Sequence, residues 1–331
     1  MRKVTIQEVA EAAGVSKSTM SRYLNQNYSH MSVSTRQRIE KTVKALAYRP
    51  SRRAQSLKTK RSRLIGIMIA DISNVYVSLL LKGITNYLKQ YDYQTLIMES
   101  GNSVEQERQQ LDQMLDQSVE GIILQPNSRL SATYQFIADA EVPLVLVDRE
   151  TAPFRWDTIE TDNYQATSRL SAQVHQSAEA YTVGLVVSED VHAISTREQR
   201  LAGFINGVAP LPVQTVELDA SNAAFTQKLQ TLLAANEHPL VFANNGKVLA
   251  VVLKTLQALS LSVPRDVGVA GYDDWNWAGL VGPGISTVEQ HPDKIGYLAG
   301  EMLMKLVQPH EKKPKPAIHT LPASVKFRQS I

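Results

Sequence analysis

Apolar residues follow two different rhythms along this 331-residue chain, and the change comes near residue 64. Beyond it they come in short runs separated by stretches of helical length. LIGIMIA at 64–70 reads as a strand, 78–91 as a helix, TLIME as a strand and 104–117 as a helix. GIIL and LVLV follow as strands, with a helix near 134–140 between them. A second series opens with a helix from Asn163, then the strand TVGLVV at 182–187, a helix over 196–207, a strand around Val216 and a helix over 225–235. LVFA, a helix over 248–259 and VGVAGY at 267–272 complete it, and 294–306 reads as a last helix. Strand and helix alternating in this way predict parallel doubly wound sheets, and two similar series predict two lobes with a cleft between them.

Before residue 50 the spacing is three and four. Thr5-Ile6-Gln7-Glu8 has the form of a capping box, in which a Thr hydroxyl and a Glu carboxylate three positions on satisfy free N–H groups at a helix start. Ile6, Val9, Ala10 and Ala13 continue at helical spacing until Gly14, a residue suited to the left-handed turn that ends a helix. Ser16 is an N-cap for a second helix that turns Met20 and Leu24 inward. Lys17, Ser18, Ser21, Arg22 and Asn25 then lie on its other faces, with groups that reach base edges or phosphates. A third helix starts at Ser32 or Ser34 and packs Ile39, Val43 and Leu46 onto the first two. Short helices around a Gly-containing turn, the second one polar outside, make a helix-turn-helix. Tyr48-Arg49-Pro50 ends the third helix. Residues 51–58 can form one short helix that is too short to be stable alone, followed by a charged connector at 59–63.

Charge sharpens this division. The net charge of +3 conceals 15 Lys and Arg against 3 acidic residues in 1–63, a net of +12, and 20 against 29 in the remainder, a net of −9. A small basic end on an acidic body fits a nucleic-acid-binding head on a sensor. There is no cysteine, hence no disulfide or thiolate metal site. No apolar stretch approaches the ~20 residues of a membrane helix, and Arg2-Lys3 are not followed by a signal-peptide core, so a cytoplasmic protein at the nucleoid is expected.

VTIQEVAEAAGVSKSTMSRYLN, then VSTRQRIEKTVKALAYRP, then RRAQSLKTK resemble, nearly position by position, the headpiece and hinge of the LacI/GalR (lactose-repressor) family of bacterial transcription regulators. The resemblance continues more loosely to the end of the chain. It implies an all-α helix-turn-helix headpiece at 1–49, a hinge helix and linker at 50–63, and a ligand-binding region at 64–331. That region would be two Rossmann-like lobes of the periplasmic-binding-protein type joined by three crossovers, near Thr161, Gln290-His291-Pro292 and Pro322. Lobe 1 would hold 64–161 and 292–322, and lobe 2 would hold 162–291 and 323–331. In such a protein the hinge folds on operator DNA and the residue matching Leu57 wedges into the minor groove. Lys17, Ser18 and Arg22 would meet base edges or adjacent backbone, with Thr5, Ser16, Thr19, Ser21, Asn25 and the 58–63 cluster on phosphates.

Ligands of open α/β sheets sit beyond the carboxyl ends of strands. Here those ends read Asp71-Ile72-Ser73-Asn74, Gln125-Pro126-Asn127, Asp148-Arg149, Asn244-Asn245-Gly246 and Tyr272-Asp273-Asp274-Trp275. Carried over by position, Asp148, Arg200, Asn244 and Asp273 fall on the family's polar effector contacts, and Asn74, Gln125, Gly246 and Trp275 fall beside such contacts. Ala220 or Ser221 stands where the family's founding member stacks an aromatic on its sugar, and Pro292 replaces another apolar contact; both speak against a lactose-like galactoside. The run DDWNWA places two of three tryptophans together, either to cover a sugar's carbon face or to close a core, and resembles a subgroup regulating sugar-acid catabolism (2-keto-3-deoxygluconate regulators). Arg149 and Arg200 could take a carboxylate; the competing use is internal pairing with Asp148.

Walker A, GxGxxG, GxSxG and HExxH motifs are all missing, and the seven His lack metal-ligand spacing. A sugar kinase or aldolase therefore lacks its phosphate cradle, and a transport binding protein would need a signal peptide and no basic head. The expected protein is a regulator without cofactor or metal, a homodimer on a pseudo-palindromic operator that answers a carbohydrate or sugar-acid effector. No heptad segment follows 326–331 to make a tetramer, and the sequence leaves open whether the effector induces or corepresses.

Overall fold

The computed structural model describes residues 4–49, 61–176, 180–218, 222–308 and 315–331. It divides into two units, Met1–Arg63 and Leu64–Ile331.

In the first unit, α1 (Ile6–Ala12), α2 (Lys17–Leu24) and α3 (Val33–Ala45) form a small bundle. Each helix opens on a hydroxyl N-cap: Thr5 in a complete capping box, Ser16 accepting from the Thr19 N–H, and Ser32 accepting from the Thr35 N–H. Gly14, at φ +58°, makes the turn between α1 and α2 without the penalty a side chain would bring. Val9, Ala10, Ala13, Met20 and Ile39 form the buried core, with Val43, Leu24 and Tyr48 packed against it. Arg38 ties α3 to the end of α1 by donating from Nε to the Ala13 carbonyl at 2.9 Å. Leu46 departs from expectation: it is 37% exposed, because α3 ends at Ala45 and the left-handed Ala47 turns the chain so that Tyr48 fills the core position instead.

The second unit contains two six-stranded sheets. The first runs β11-β5-β4-β3-β1-β2, from β1 (Leu64–Ile69), β2 (Gln94–Glu99), β3 (Ile122–Leu124), β4 (Leu144–Val147), β5 (Thr158–Thr161) and β11 (Ile318–Leu321). The second runs β12-β10-β9-β8-β6-β7, from β6 (Gly184–Ser188), β7 (Val213–Glu217), β8 (Leu240–Ala243), β9 (Gly268–Tyr272), β10 (Ser286–Glu289) and β12 (Ser324–Lys326). Neighbours are parallel except β10 and β12. The chain therefore passes between sheets three times: after β5, after β10 and after β11. Because the central strands are buried on both faces, they read as continuous apolar runs; β10, β11 and β12 are short and polar and give no such signal.

Helices cover both faces. In the first lobe α4 (Val75–Leu88), α5 (Val104–Asp116), the short α6 (Gln135–Asp139) and the late-coming α11 (Pro292–Val307) pack on the sheet. In the second, α7 (Asn163–Ser171), α8 (Ser195–Val208), α9 (Asn222–Ala235) and α10 (Gly246–Ala258) do so. The packing of α4 on α11 explains why residues so distant in sequence share a lobe. A Cβ on Gly83 would stand 2.0 Å from the Asp293 carbonyl oxygen, and one on Gly296 would stand 2.1 Å from that of Leu80, so only glycine lets the two backbones meet. Among the described residues no helix is long and apolar enough to cross a membrane.

Candidate functional site

On the headpiece, α2 presents the polar face that the sequence marks. Met20 is fully buried beneath it, while Lys17, Ser18, Arg22 and Asn25 are exposed and Thr19 and Ser21 half-buried. Ser16 Oγ lies within hydrogen-bond distance of Ser18 Oγ (2.8 Å) and Thr19 Oγ1 (2.9 Å), so these hydroxyls gather around the helix N-terminus, where N–H groups and the helix dipole favour a phosphate. Thr5 lies at the start of α1 and is exposed. Leu57 and residues 58–60 lie outside the described residues, as do Ala220 and Ser221.

The cleft in the second unit is built on a repeat. Asp148 follows β4, Asp273 follows β9, and the two strands occupy equivalent places in their sheets. Both residues are left-handed, at φ 69° and 71°, a conformation that Asp tolerates better than most side chains. Both backbone N–H groups donate at 2.8 Å to the neighbouring strand, to Ile159 and Val288 respectively. Strain of this kind, held at the same point of two lobes, turns both carboxylates toward the space between them.

That space is a cavity of about 70 Å³. Its wall includes Asn74, Gln125, Asp148, Arg149, Arg200 and Asp273 among the residues singled out from sequence, together with Asp71, Tyr76, Arg197, Lys247 and Gln290, which were not. Asn244 and Gly246 do not border it and instead hold residues that do. The Asn244 carbonyl accepts from Arg200 Nη1 at 2.8 Å, and the Gly246 N–H donates to Asp273 Oδ2 at 3.0 Å. Trp275 and Trp277, which the sequence offered as cover for a ligand's carbon face, do not border this cavity. Trp275, itself left-handed at φ 41°, packs on the core of the first lobe, and Trp277 packs on that of the second. Pro292 sits at the first turn of α11, buried, where its missing N–H is harmless.

The two arginines flagged from sequence are held differently. Arg200, 5% exposed, donates from Nε to Asn163 Oδ1 (2.8 Å), from Nη1 to the Asn244 carbonyl and from Nη2 to Gln290 Oε1 (3.1 Å), and lies over the Tyr272 ring 3.7 Å from its centroid. Gln290 in turn donates to Asp273 Oδ1 at 2.8 Å and accepts from Thr161 at 2.9 Å, so Arg200 joins two of the three crossovers. Burial pushes the Asp273 carboxyl up, opposed by the Arg200 charge and by the bonds from Gln290 and Gly246. Arg149, 8% exposed, donates from Nη1 to the Pro126 carbonyl (3.1 Å) and Asn127 Oδ1 (2.9 Å). Its Nε has no hydrogen-bond partner; Asp148 Oδ2 stands 3.6 Å away and is occupied at 2.7 Å by Gln125 Nε2.

Several contacts join the lobes around the cavity. Lys247 of α10 donates to the Asp71 carboxylate and to Ser73 Oγ (2.8 Å). Burial works against ionisation of Asp71, yet the bonds from Lys247 and Ser73 hold its carboxyl below the usual range. Arg129 pairs with Glu198 of α8 at 2.8 Å. Near the first crossover the Glu150 N–H donates to Ser195 Oγ (2.8 Å) and Gln199 Nε2 donates to Glu150 Oε1 (2.6 Å). Glu160 beside them is pushed up to about 8 by burial and then by the Glu150 charge. Asp71 and Lys247 stood within or next to the strand-end runs already noted, which was the available signal for them. Nothing in the sequence distinguished Tyr76 from the other apolar positions of α4.

Residues 5–51 match the family described as bacterial regulatory proteins, lacI family, and residues 173–331 match the periplasmic binding protein-like domain. The HTH-type transcriptional regulator KdgR of Bacillus subtilis (strain 168) is 33% identical over 339 residues, covering 99% of this chain and 97% of that one. The ribose operon repressor of Lactococcus lactis subsp. lactis (strain IL1403) is 30% identical, covering 91% and 90%. The crystal structure of the lac repressor dimer bound to operator and the anti-inducer ONPF superposes with a TM-score of 0.84 at 25% identity, over 99% of both chains. A likeness that runs from the capping box of α1 through both lobes admits one conclusion: the chain belongs to the lacI family of bacterial regulatory proteins.

Proposed function

We propose that this chain represses carbohydrate-catabolic genes, binding a pseudo-palindromic operator as a homodimer in the cytoplasm, at the nucleoid, and answering a sugar or sugar-acid effector held in the cleft. The observation that carries the reading is the union, in one chain, of a basic helix-turn-helix unit and a two-lobed unit whose facing Asp148 and Asp273 border one polar cavity. Hydroxyl-rich ligands need paired acceptors and donors from several directions, and Asn74, Gln125, Asp148, Arg200 and Asp273 supply them. The ribose operon repressor among the relatives supports the carbohydrate class and the repressing role.

In this proposal residues 1–49 read the operator, 50–63 act as hinge with Leu57 as the minor-groove wedge, and lobe 1 (64–161 and 292–322) and lobe 2 (162–291 and 323–331) close on the effector. Lys17, Ser18 and Arg22 face base edges or adjacent backbone, while Thr5, Ser16, Thr19, Ser21, Asn25 and the 58–63 cluster hold phosphates. An effector moves the operator equilibrium only by its differential affinity for the two states, a coupling of ~1–3 kcal/mol in typical cases. Mobility shifts with specific and scrambled duplexes test the DNA half. Arg22→Ala is expected to lower affinity for the specific site by ~1–3 kcal/mol, as for a bidentate guanine contact, with a smaller loss on the scrambled duplex. Equal losses on both duplexes would reduce Arg22 to a phosphate contact.

A further inference from the structure

We infer that Glu107, which does not border the cavity, is a positioning residue for effector binding: its carboxylate holds the 126–128 turn, and that turn holds the Arg149 guanidinium in the cavity wall. This rests on the reading of the cleft as the effector site and adds to it a residue from outside the cleft. The connection is continuous in hydrogen bonds. Glu107 lies in the first turn of α5 and is 1% exposed. Its Oε1 accepts from the Asn127 N–H at 2.9 Å and its Oε2 from the Tyr134 hydroxyl at 2.7 Å. Tyr134, fully buried, accepts in turn from the Ser128 N–H at 2.9 Å, so two successive amides of the turn depend on this pair of side chains. Asn127 carries the constraint to the cavity wall. Its Oδ1 accepts from Arg149 Nη1 at 2.9 Å and its Nδ2 donates to Ser100 Oγ at 2.7 Å, while the Pro126 carbonyl accepts from the same Arg149 Nη1 at 3.1 Å. With its N–H and both ends of its side chain in use, Asn127 has nothing spare to make good the loss of Glu107.

A carboxyl buried to this degree is costly to ionise, and its partners decide which form the turn requires. Burial pushes Glu107 up to about 7, opposed by the bonds from Tyr134 and Asn127 and by the Arg149 charge. Tyr134, just before α6, is itself raised by burial above its usual range and so stays a donor. Arg149 follows β4, with Asp148 Oδ2 3.6 Å from its Nε. On α5 itself, Arg108 and Asp112 pair with each other at 3.0 Å and are half-exposed. Ionised, Glu107 balances three donors, the Asn127 and Ser128 N–H groups and the Tyr134 hydroxyl, against three acceptors, its own two oxygens and that of Tyr134. A proton on Glu107 adds a fourth donor, and one of the four is then buried without an acceptor. The anion therefore holds the turn. An effector that binds the ordered wall favours that anion, so its affinity is full above the Glu107 pKa near 7 and is lost as pH falls through it.

Calorimetry on the full chain, with pentoses, hexoses and their aldonates as probes, tests this on whichever of them binds tightest. Wild-type affinity is expected to rise about three- to tenfold between pH 6 and pH 8. Glu107→Gln, which keeps the shape and cannot ionise, is expected to lose that rise; Glu160 and Asp273 are present in both chains, so the difference belongs to Glu107. Glu107→Leu is expected to weaken the probe roughly 10- to 100-fold at pH 8. Tyr134→Phe, which removes only the hydroxyl, is expected to weaken it by about three- to tenfold, giving a second reading should the leucine variant melt early by circular dichroism. Hydrogen exchange read by mass spectrometry over residues 125–130 reports the turn without any ligand and is expected to quicken in both variants. A pH profile shared by the wild type and Glu107→Gln, or turn amides that exchange no faster in Glu107→Leu and Tyr134→Phe, would overturn the inference and leave the cleft reading standing. Faster exchange in both variants with no probe bound at any pH would support the connection from Glu107 to Arg149 and remove the carbohydrate reading itself.

Discussion

Met20→Ala is expected to abolish operator binding while the same chain still takes up effector. Met20 is completely buried at the centre of a core cluster with four other buried residues, and it is the one fully buried residue of α2, beneath the exposed polar face. Truncating a buried Met to Ala costs ~2–5 kcal/mol, from lost transfer energy and the cavity left behind. A domain of this size derives no more than about 3–5 kcal/mol from a single core, so the substitution consumes its whole margin. The cleft belongs to a separate compact unit with its own clusters of buried residues and does not share that margin. Thermal unfolding by circular dichroism should show the headpiece transition lost and the larger one retained. Operator affinity within a factor of a few of wild type would show that α2 is held by something other than this core.

Arg200→Ala should be the most damaging single change in the second unit. It removes the donor from Asn163 Oδ1, the Asn244 carbonyl and Gln290 Oε1 at once, and Gln290 is the group that orients Asp273. Breaking a buried charged network by deleting one member costs ~3–5 kcal/mol, because the remaining polar groups stay buried and unmatched. Urea unfolding should show that loss in the transition of residues 64–331, with effector binding gone even where the protein is still folded. A loss below about 1 kcal/mol would mean that water replaces the guanidinium without difficulty. Arg200 acts on the connection between lobes.

The headpiece was legible because its signals are local. Thr5 with Glu8, Gly14 and Ser16 act within four residues of themselves, and each occupies the cap or turn its chemistry predicts. The central strands were legible because burial on both faces demands unbroken apolar runs, as in LIGIMI and LVLV. What escaped depends on residues far apart in sequence. β11 and β12 gain their place by pairing with β5 and β10, not by composition. Tyr76 looks like any apolar position of α4 until the lobes come together, and its place on the cavity wall near Asp148 is visible only in three dimensions. Trp277 read equally as a sugar platform or a core residue, and the second lobe's packing selects the core. Arg149 and Arg200 were equivalent as guanidinium groups in sequence; the crossovers that bring Asn163 and Gln290 to Arg200 are what separate them.

Operator affinity measured with and without a saturating effector tests the central claim most directly. Fluorescence anisotropy with a labelled palindromic duplex, run on the wild type and on Leu57→Ala, reads the coupling and the wedge together. The account predicts that a sugar or sugar-acid effector identified by calorimetry shifts wild-type operator affinity by about 5- to 150-fold. It also predicts that Leu57→Ala weakens operator binding while the calorimetric effector affinity is unchanged. The direction of the shift assigns the effector as inducer or corepressor. An effector that binds the cleft without moving operator affinity, or a Leu57→Ala chain that loses effector affinity as well, would contradict it.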